Sequence, residues 1–407
     1  MFASIRKLVD SVRALGSERL SLLGVLTSGH IAIHWFQQIL PVVLPSLKSG
    51  LGLSDVQVGA LTSSRQLVQG TMNLPSGMLA DSLVKYRGLI LTAALLFMGM
   101  AYLLLGITSF FVVAIIGAGL VGLGSALWHP ASVASLSNRF PERRATALAV
   151  HGMGATFGDT LTPLAVGFLL TVFPWKTVLQ SQIVVGILLG FLIWVSLTGF
   201  FRDDHAQSMP AKQIREIAGL ARNPVFIGVS AARGFIQMGR LIILTFLPIY
   251  LQEHLGYSTF VLGVHLSLLH AMGFISQPIM GYVSDRFGRK TVLAPSFVAL
   301  GILYALLVAA APGFQLGLVI SAIGLFFYTL MNITNVAVMD VAGSKIQASS
   351  YGLTSLVTQL VVFPTPVVAG YLIGGYGISS AFIMAAVFAF LAALTIAPLK
   401  LYKGSQN

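Results

Sequence analysis

Three arginines and one aspartate lie inside long apolar stretches of the sequence, where a charged side chain is costly. They are Arg65, Arg233, Arg240 and Asp159. A charged group at membrane depth is unfavourable unless it is paired or hydrated, so each is a candidate functional residue. Guanidinium groups match carboxylate, phosphate and phosphonate oxygens through paired hydrogen bonds. Three cations facing one anion predict a positive site for a small anion, and fastening of helices by the same arginines is an equal alternative.

Uncharged polar side chains also lie within the apolar stretches, at helical spacing. His30, His34 and Gln37 stand at i, i+4 and i+7, which puts them on one face of a helix. A polar face of this kind is unfavourable in contact with lipid, so we expect it to line a cavity and to contact the substrate. The predicted substrate-binding residues are Arg65, Arg233, Arg240, His30, His34, Gln37, Gln69, Gln237, Asn332, Asn335 and Gln359.

Asp159 is the best candidate in the sequence for proton coupling, because a buried carboxyl group near an arginine can exchange a proton as its surroundings change. Histidines titrate near neutral pH, so His151 and His129 are predicted to share that role. A hydrogen-bonding strut is the alternative for any single polar residue in a helical bundle. His30 and His34 could together offer two metal ligands. No carboxylate or thiolate is close to them in sequence, and we therefore predict no metal site.

The elements that position these residues are membrane-spanning helices. Of 407 residues, 56% are hydrophobic and only 9% are charged, and the mean hydropathy is +0.88, which excludes an ordinary soluble protein. One span needs about 20 apolar residues, and we count twelve. The predicted spans are residues 20–46, 54–80, 88–108, 110–138, 144–170, 175–201, 224–251, 257–284, 290–311, 313–340, 347–374 and 376–400.

These spans predict an all-α, polytopic membrane protein built from two pseudo-symmetric six-helix halves. Every third span is poor in polar residues. This is expected of a bundle in which every third helix is peripheral and faces lipid, while the other helices surround a central cavity. The segment before the first span is either an amphipathic surface helix or a frayed basic tail. The predicted organisation is an amphipathic N-terminal segment (1–19), an N-terminal half (20–201), a cytoplasmic linker (202–223), a C-terminal half (224–400) and a C-terminal tail (401–407).

The placement of charge predicts orientation and excludes several functions. The net charge is +12, but if both termini are cytoplasmic only Lys48 and Lys176 among the basic residues between spans lie outside, as expected from the positive-inside rule rather than from nucleic-acid binding. The sequence has no cysteine, which excludes disulfides and thiolate metal sites. It also has no phosphate-binding loop for ATP. We therefore expect neither a cofactor nor an enzyme activity. We expect transport that uses a gradient or is passive.

Two loops repeat the pattern Gly-x-x-x-Asp followed by basic residues, one from Gly77 to Asp81 and one from Gly281 to Asp285. A single copy would be an ordinary cytoplasmic turn. Two copies at equal depth in two halves resemble the signature loop of the major facilitator superfamily. The resemblance implies that these residues latch the two halves on the cytoplasmic side and govern switching. The implied switch residues are Gly77, Asp81, Arg87, Gly281, Asp285, Arg286 and Arg289.

Within that superfamily, the segment Gly122–Ala131 with its Trp-His-Pro, followed by Arg143-Arg144 and His151-Gly-Met-Gly154, is similar to the fosmidomycin-resistance group of transporters. The resemblance implies alternating access and proton-driven export of a small organic anion or drug. Two features of drug antiporters are absent: an arginine, replaced by Ala118, and a proline, replaced by Asp159. Proton-coupled uptake of an anionic metabolite therefore stays an alternative, and a non-transporting membrane sensor is a third.

The expected surroundings follow from the same arguments. We expect a monomer in the bacterial inner membrane, with both termini cytoplasmic and the lipid bilayer around it. We expect it to bind a small anionic substrate and protons, and we do not expect it to bind nucleic acid.

Overall fold

A computed structural model describes residues 16–201, 219–220, 222–342 and 347–401. The described chain is helical throughout and contains no strand. The segments predicted for residues 1–19, 202–223 and 401–407 lie largely outside the described residues. The helices are α1 (Ser17–Leu51), α2 (Asp55–Ser82), α3 (Arg87–Ile107), α4 (Phe111–Arg139), α5 (Arg144–Val172), α6 (Trp175–Leu197), α7 (Pro224–Ile249), α8 (Thr259–Phe287), α9 (Arg289–Ala309), α10 (Phe314–Phe327), α11 (Thr329–Ala342), α12 (Gln347–Val362), α13 (Thr365–Tyr376) and α14 (Ser379–Ile396).

The predicted twelve-helix class is confirmed, with a difference in how apolar the spans are. Within the described residues, ten helical stretches are long and apolar enough to cross a membrane. The first two spans are not among them, although α1 has 35 residues and α2 has 28. Polar side chains lower their hydropathy: α1 carries histidine and glutamine, and α2 carries glutamine and threonine. Both spans contribute to the cavity described below.

The tenth and eleventh spans are each divided into two helices, where the sequence predicted single helices over 313–340 and 347–374. The eleventh span breaks at Pro364, because a proline has no N–H to continue the hydrogen-bond ladder, and α13 begins immediately after it. The tenth span breaks at Tyr328, between α10 and α11. No proline lies at that break, so hydropathy could not have indicated it.

The two halves repeat the same helix packing. In the first half α3 packs on α6 and α2 packs on α4, and in the second α9 packs on α14 and α8 packs on α10. Between the halves, α5 packs on α8 as α2 packs on α13. This matches the predicted duplication, since each of these packed pairs in one half has a counterpart in the other.

Local sequence signals fix where several helices begin and end. Ser54 and Gln57 form a capping box at the start of α2, in which each side chain accepts a hydrogen bond from the other residue's backbone N–H. Gly52 ends α1 in the left-handed region, with φ of 62°, where glycine is favoured. Asn223 caps α7 by accepting from the backbone N–H of Val225 at 2.9 Å. These caps hold the helices in register at the two ends of the bundle.

The two halves approach each other closely in the part of the bundle between its middle and the end that contains Lys48. This end is here called the Lys48 end. A Cβ atom on Gly167 of α5 would lie 2.6 Å from the carbonyl oxygen of Thr259 and 3.1 Å from the Cα of Gly263 in α8. A Cβ on Gly370 of α13 would lie 2.6 Å from the carbonyl oxygen of Asp55. Only glycine fits such backbone contacts. The bundle is therefore closed at the Lys48 end by small residues.

An ion triad joins the halves at the same end. The Lys48 Nζ atom lies 2.7 Å from Asp55 Oδ1 and 2.7 Å from Glu253 Oε2. Glu253 belongs to a five-residue π-helical turn, Tyr250–His254, that follows α7. Burial by itself lowers the pKa of the Lys48 ammonium, but hydrogen bonds and charges from the two carboxylates outweigh it and raise that pKa above its ordinary value. The ammonium therefore stays charged at physiological pH.

Candidate substrate-binding cavity

A polar cavity of about 800 Å³, including the open space at its mouth, lies between the two halves at mid-bundle. Residues of α1, α2 and α5 line it from the first half, and residues of α7, α12 and the α10–α11 break line it from the second. The lining residues are His34, Gln37, Gln38, Leu40, Pro41, Leu44, Thr62, Arg65, Gln66, Gln69, Asp159, Gln237, Arg240, Leu241, Leu244, Tyr328 and Gln359.

Two of the three deep arginines face this cavity, one from each half. Arg65 donates to the backbone oxygen of Gln37 at 3.3 Å and to the Gln37 Oε1 at 3.4 Å. Arg240 donates to Gln237 Oε1 at 3.2 Å, and its guanidinium lies 4.8 Å from the ring centre of Tyr328. The buried Nε atom of each arginine has no hydrogen-bond partner among the described residues. Each guanidinium thus lines the cavity while one of its donors, although buried, is not used by any of the described residues.

The third arginine, Arg233, differs from the expectation that all three line the cavity. It donates through Nε to Asn335 Oδ1 at 2.5 Å and through Nη1 to Thr358 Oγ1 at 2.9 Å. It precedes Arg240 by seven residues on α7, about 10 Å along the helix axis, and is 5% exposed. Arg233 and Asn335 therefore join α7, α11 and α12 below the cavity.

Most of the predicted substrate-binding residues are brought together at the cavity, and four are not. His34, Gln37, Gln69, Gln237 and Gln359 line it with the two arginines. The other four lie elsewhere: His30, Arg233, Asn332 and Asn335. Asn332 is exposed and donates to Gln277 Oε1 at 2.9 Å. A role in substrate contact stays a prediction for every residue of the set.

Asp159 is the only carboxylate among the described residues that line the cavity, and it joins the two halves. Its Oδ1 accepts from His34 Nδ1 and from Gln38 Nε2, both at 2.8 Å. Its Oδ2 accepts from the Tyr328 hydroxyl at 2.8 Å. That hydroxyl also lies 2.7 Å from His270 Nδ1. A continuous hydrogen-bond chain therefore runs from α1 through α5 to Tyr328 and α8.

Four histidines form a cluster behind the cavity wall. The His30 and His151 rings stack at 3.9 Å between centres, and the Nε2 atoms of His30 and His129 are 3.4 Å apart. One ring nitrogen from each of His30, His34 and His129 lies within 4.8 Å of the others. Such nitrogens can bind a metal ion or a proton. The proton-coupling roles predicted for Asp159, His151 and His129 stay predictions.

The predicted switch residues form ion pairs inside each half. In the first half, Arg87 donates to the Ala80 carbonyl oxygen at 2.9 Å and to Asp81 Oδ1 at 3.4 Å. In the second half, Arg289 pairs with Asp285, and its Nε donates to Asp340 Oδ2 at 3.0 Å.

The remaining three switch residues lie close by. Arg286 donates to the Tyr282 hydroxyl at 3.4 Å. Gly281 has open space where a Cβ would be, and Gly77 faces Pro130 at 3.7 Å. The Gly77–Asp81 and Gly281–Asp285 segments, predicted as loops, instead form the last turns of α2 and α8. Their hydrogen bonds and ion pairs tie helices within one half, and the implied latch between halves stays a prediction.

Four polar cavity residues were not in the predicted site: Gln38, Thr62, Gln66 and Tyr328. Thr62 and Gln66 belong to the same helical stripe as Gln69, so extending the i, i+3, i+4 spacing along α2 would have included them. Gln38 is adjacent to Gln37 and reaches Asp159 only because α1 and α5 pack together. Tyr328 reaches the cavity through the break between α10 and α11, for which the sequence offers no local signal.

Comparison with known proteins identifies the family to which the chain belongs. A model of the major facilitator superfamily matches residues 26–364 and 235–405. The chain belongs to this superfamily. Its members carry small molecules across membranes and are not enzymes, so this chain is a multi-pass membrane transporter with an alternating-access fold.

Several superfamily members are similar in sequence or structure. The fosmidomycin resistance protein of Escherichia coli (strain K12) is 24% identical over 284 residues, covering 67% of each chain. The hexuronate transporter of Bacillus subtilis (strain 168) is 24% identical over 389 residues, covering 88% of this chain and 89% of that one. A crystal structure of a bacterial homologue of the lysosomal transporter Spinster superposes with a TM-score of 0.75 at 17% identity, covering 94% and 98%. The first supports the predicted subgroup, and the last shows the fold alone.

Proposed function

We propose that this transporter exports a small organic anion in exchange for protons. The observation that carries the proposal is the placement of Arg65 and Arg240, which reach one cavity from opposite halves of the bundle. Each guanidinium has an Nε donor without a partner among the described residues. An anion bound by both arginines would join the halves electrostatically, which is what alternating access requires of a substrate.

The rest of the lining supports an anion with further polar groups. Six glutamines, among them Gln69 and Gln359, surround the arginines, and amide side chains both donate and accept hydrogen bonds. Two relatives fit this chemistry by name, since a hexuronate is a carboxylate and fosmidomycin is a phosphonate. Guanidinium groups bind both kinds of anion through paired hydrogen bonds.

The driving force and direction rest on separate arguments. The sequence has no phosphate-binding loop for ATP, so transport either uses a gradient or is passive, and we propose that it uses the proton gradient. The similarity to the fosmidomycin resistance protein favours export. Proton-coupled uptake is the second candidate, favoured by the absent antiporter features at Ala118 and Asp159 and by the similarity to a hexuronate transporter.

Transport in vesicles tests the proposal. The purified protein would be reconstituted with a pH-sensitive dye inside the vesicles, and glucuronate or fosmidomycin would be added outside. Antiport predicts that substrate entry drives proton exit, so the interior becomes alkaline. Acidification of the interior in step with substrate entry would instead show symport. Transport of neutral sugars as fast as of glucuronate would overturn the anion assignment.

A further inference from the structure

The histidine cluster behind the cavity has its ring nitrogens oriented by fixed acceptors. The Nδ1 atom of His30 lies 2.9 Å from the His151 carbonyl oxygen, and that of His129 lies 2.8 Å from the Ser125 carbonyl oxygen. The Nδ1 atom of His34 lies 2.8 Å from Asp159 Oδ1. A carbonyl oxygen cannot donate a hydrogen, and neither can a carboxylate. Each Nδ1 therefore carries the hydrogen, and each neutral imidazole presents a lone pair at Nε2.

Two of these lone pairs face one another. The Nε2 atoms of His30 and His129 are 3.4 Å apart, beyond the usual range of about 2.7–3.2 Å for a hydrogen bond from nitrogen. Two nitrogens that each lie about 2.0–2.1 Å from one tetrahedral zinc ion are about 3.4 Å apart. The spacing of this pair is therefore that of two ligands on a shared metal ion, and without a cation the lone pairs repel.

We propose that His30, His34 and His129 bind one divalent transition-metal ion of the class that prefers imidazole, such as zinc. One ring nitrogen of each lies within 4.8 Å of the others, so no two of these nitrogens need to approach by more than about 1.4 Å to reach tetrahedral spacing. Histidines that bind metal ions characteristically donate the other ring N–H to a carboxylate or a backbone carbonyl. All three imidazoles already do so here.

The surroundings suit a bound cation at the edge of the cavity. His34 lines the cavity while His30 and His129 lie behind it, so a fourth ligand can be water or an oxygen of a bound anion. Asp159 supplies one negative charge through His34. His151 is 3% exposed and stacks on His30, which fixes that ring. The site rests on these contacts and does not depend on the proposed substrate or direction of transport.

Metal titration of the purified, tag-free protein tests the proposal. After treatment with a chelator, the protein in detergent would be titrated with Zn²⁺ by calorimetry and with Co²⁺ by absorption spectroscopy. We expect one ion per chain and the visible absorption of a four-coordinate cobalt site. His129→Gln should weaken binding at least tenfold. A chain that binds neither ion at micromolar concentrations would overturn the assignment and leave the anion cavity unaffected.

Two further variants separate loss of a ligand from loss of the fold. His265 also has Nδ1 held by a backbone carbonyl, that of Val261 at 2.8 Å, but it lies on α8 outside the cluster. His265→Gln should therefore bind Zn²⁺ as the unchanged protein does. His129→Cys should retain binding and add a sulfur-to-cobalt charge-transfer band, which nothing else in this cysteine-free chain can produce. Equal loss of binding in His265→Gln, or a cobalt spectrum that His129→Cys leaves unchanged, would contradict the site.

Discussion

Arg65 and Arg240 differ from Arg233 in what surrounds their guanidinium groups. The first two face a cavity and keep one donor without a partner among the described residues. Arg233 is held by Asn335 and Thr358 between packed helices. The chemistry of the side chain is the same in all three, so the packing decides which arginines can meet a substrate and which stabilise the bundle.

This difference gives a prediction with an internal control. Arg65→Gln and Arg240→Gln should each weaken glucuronate binding by at least tenfold, because a charge-assisted hydrogen bond contributes roughly 1.5–3 kcal/mol. Binding of a neutral sugar should change much less. Arg233→Gln should lower thermal stability without altering the preference for anions. Ligand-induced shifts in melting temperature measure both effects, and an equal loss for charged and neutral ligands would refute the charge argument.

Asp159 connects α5 with α1 and with Tyr328 of the second half. Asp159→Asn keeps its size but removes the charge that accepts hydrogen bonds from His34, Gln38 and Tyr328. We expect transport in vesicles to fall by at least tenfold, with the protein still folded. Thr156→Val is the control, since Thr156 lies on the same helix outside the cavity lining and its hydroxyl donates to the Gly152 carbonyl oxygen of that helix. Full activity of Asp159→Asn would remove this network from the transport cycle.

At the scale of elements, the Lys48 end is closed by an ion triad and by glycine contacts between α5 and α8. The triad depends on a lysine whose pKa is raised. Wherever the two carboxylates are ionised, the contribution of the lysine charge is therefore fully present below the ordinary lysine pKa, and it is lost as the pH rises through the raised value. Closure at this end should not weaken between pH 6 and pH 9 through loss of the lysine charge.

Lys48→Met should favour opening of the Lys48 end by about fivefold, because partly exposed ion pairs contribute up to about 1 kcal/mol. The population can be followed by spin labels on Ser109→Cys and Ala311→Cys, two exposed positions at that end in opposite halves. Lys176→Met is the control, since Lys176 lies over the Trp175 ring at the same end. An identical distance distribution in both variants would show that the triad does not hold the halves.

The glycine contacts make a second prediction about elements. Gly167→Ala places a methyl group against the backbone of α8, and overpacking of this kind costs about 1–3 kcal/mol. We expect a lower melting temperature and a more open Lys48 end. Gly152→Ala on the same helix meets no atom within 4 Å and should be neutral. If both variants melt at the same temperature, the close approach of α5 and α8 does not limit closure.

Hydropathy and helical spacing predicted the helices and most of the cavity, because both depend on which face of each helix meets lipid. The stripe from His34 to Gln37 is of this kind. Partners across helices could not be predicted, since the contact of His30 with His129 or of Gln38 with Asp159 depends on how helices pack. The proposed metal site could not have been inferred from the sequence for the same reason, because His129 and the carboxylate that approaches His34 come from distant helices.

At the scale of the whole molecule, an anion that meets arginines in both halves should control which end is open. With spin labels at Ser109→Cys and Ala311→Cys, adding glucuronate should change the balance between short and long distances. The same addition to an Arg65→Gln, Arg240→Gln double variant should change nothing. A response that survives the double variant would mean that the substrate acts on the bundle from another site.

The break at Tyr328 has a consequence for the transport cycle. Because the tenth span is interrupted at Tyr328 between α10 and α11, we expect α11 to pivot there while α10 stays packed on α8. The Tyr328 hydroxyl contacts Asp159 and His270. A ligand that alters the contacts of Asp159 in the cavity would therefore act directly on that pivot. A bundle with such a joint can pass through an occluded intermediate, sealed on both sides of the membrane, before its two halves tilt as rigid bodies.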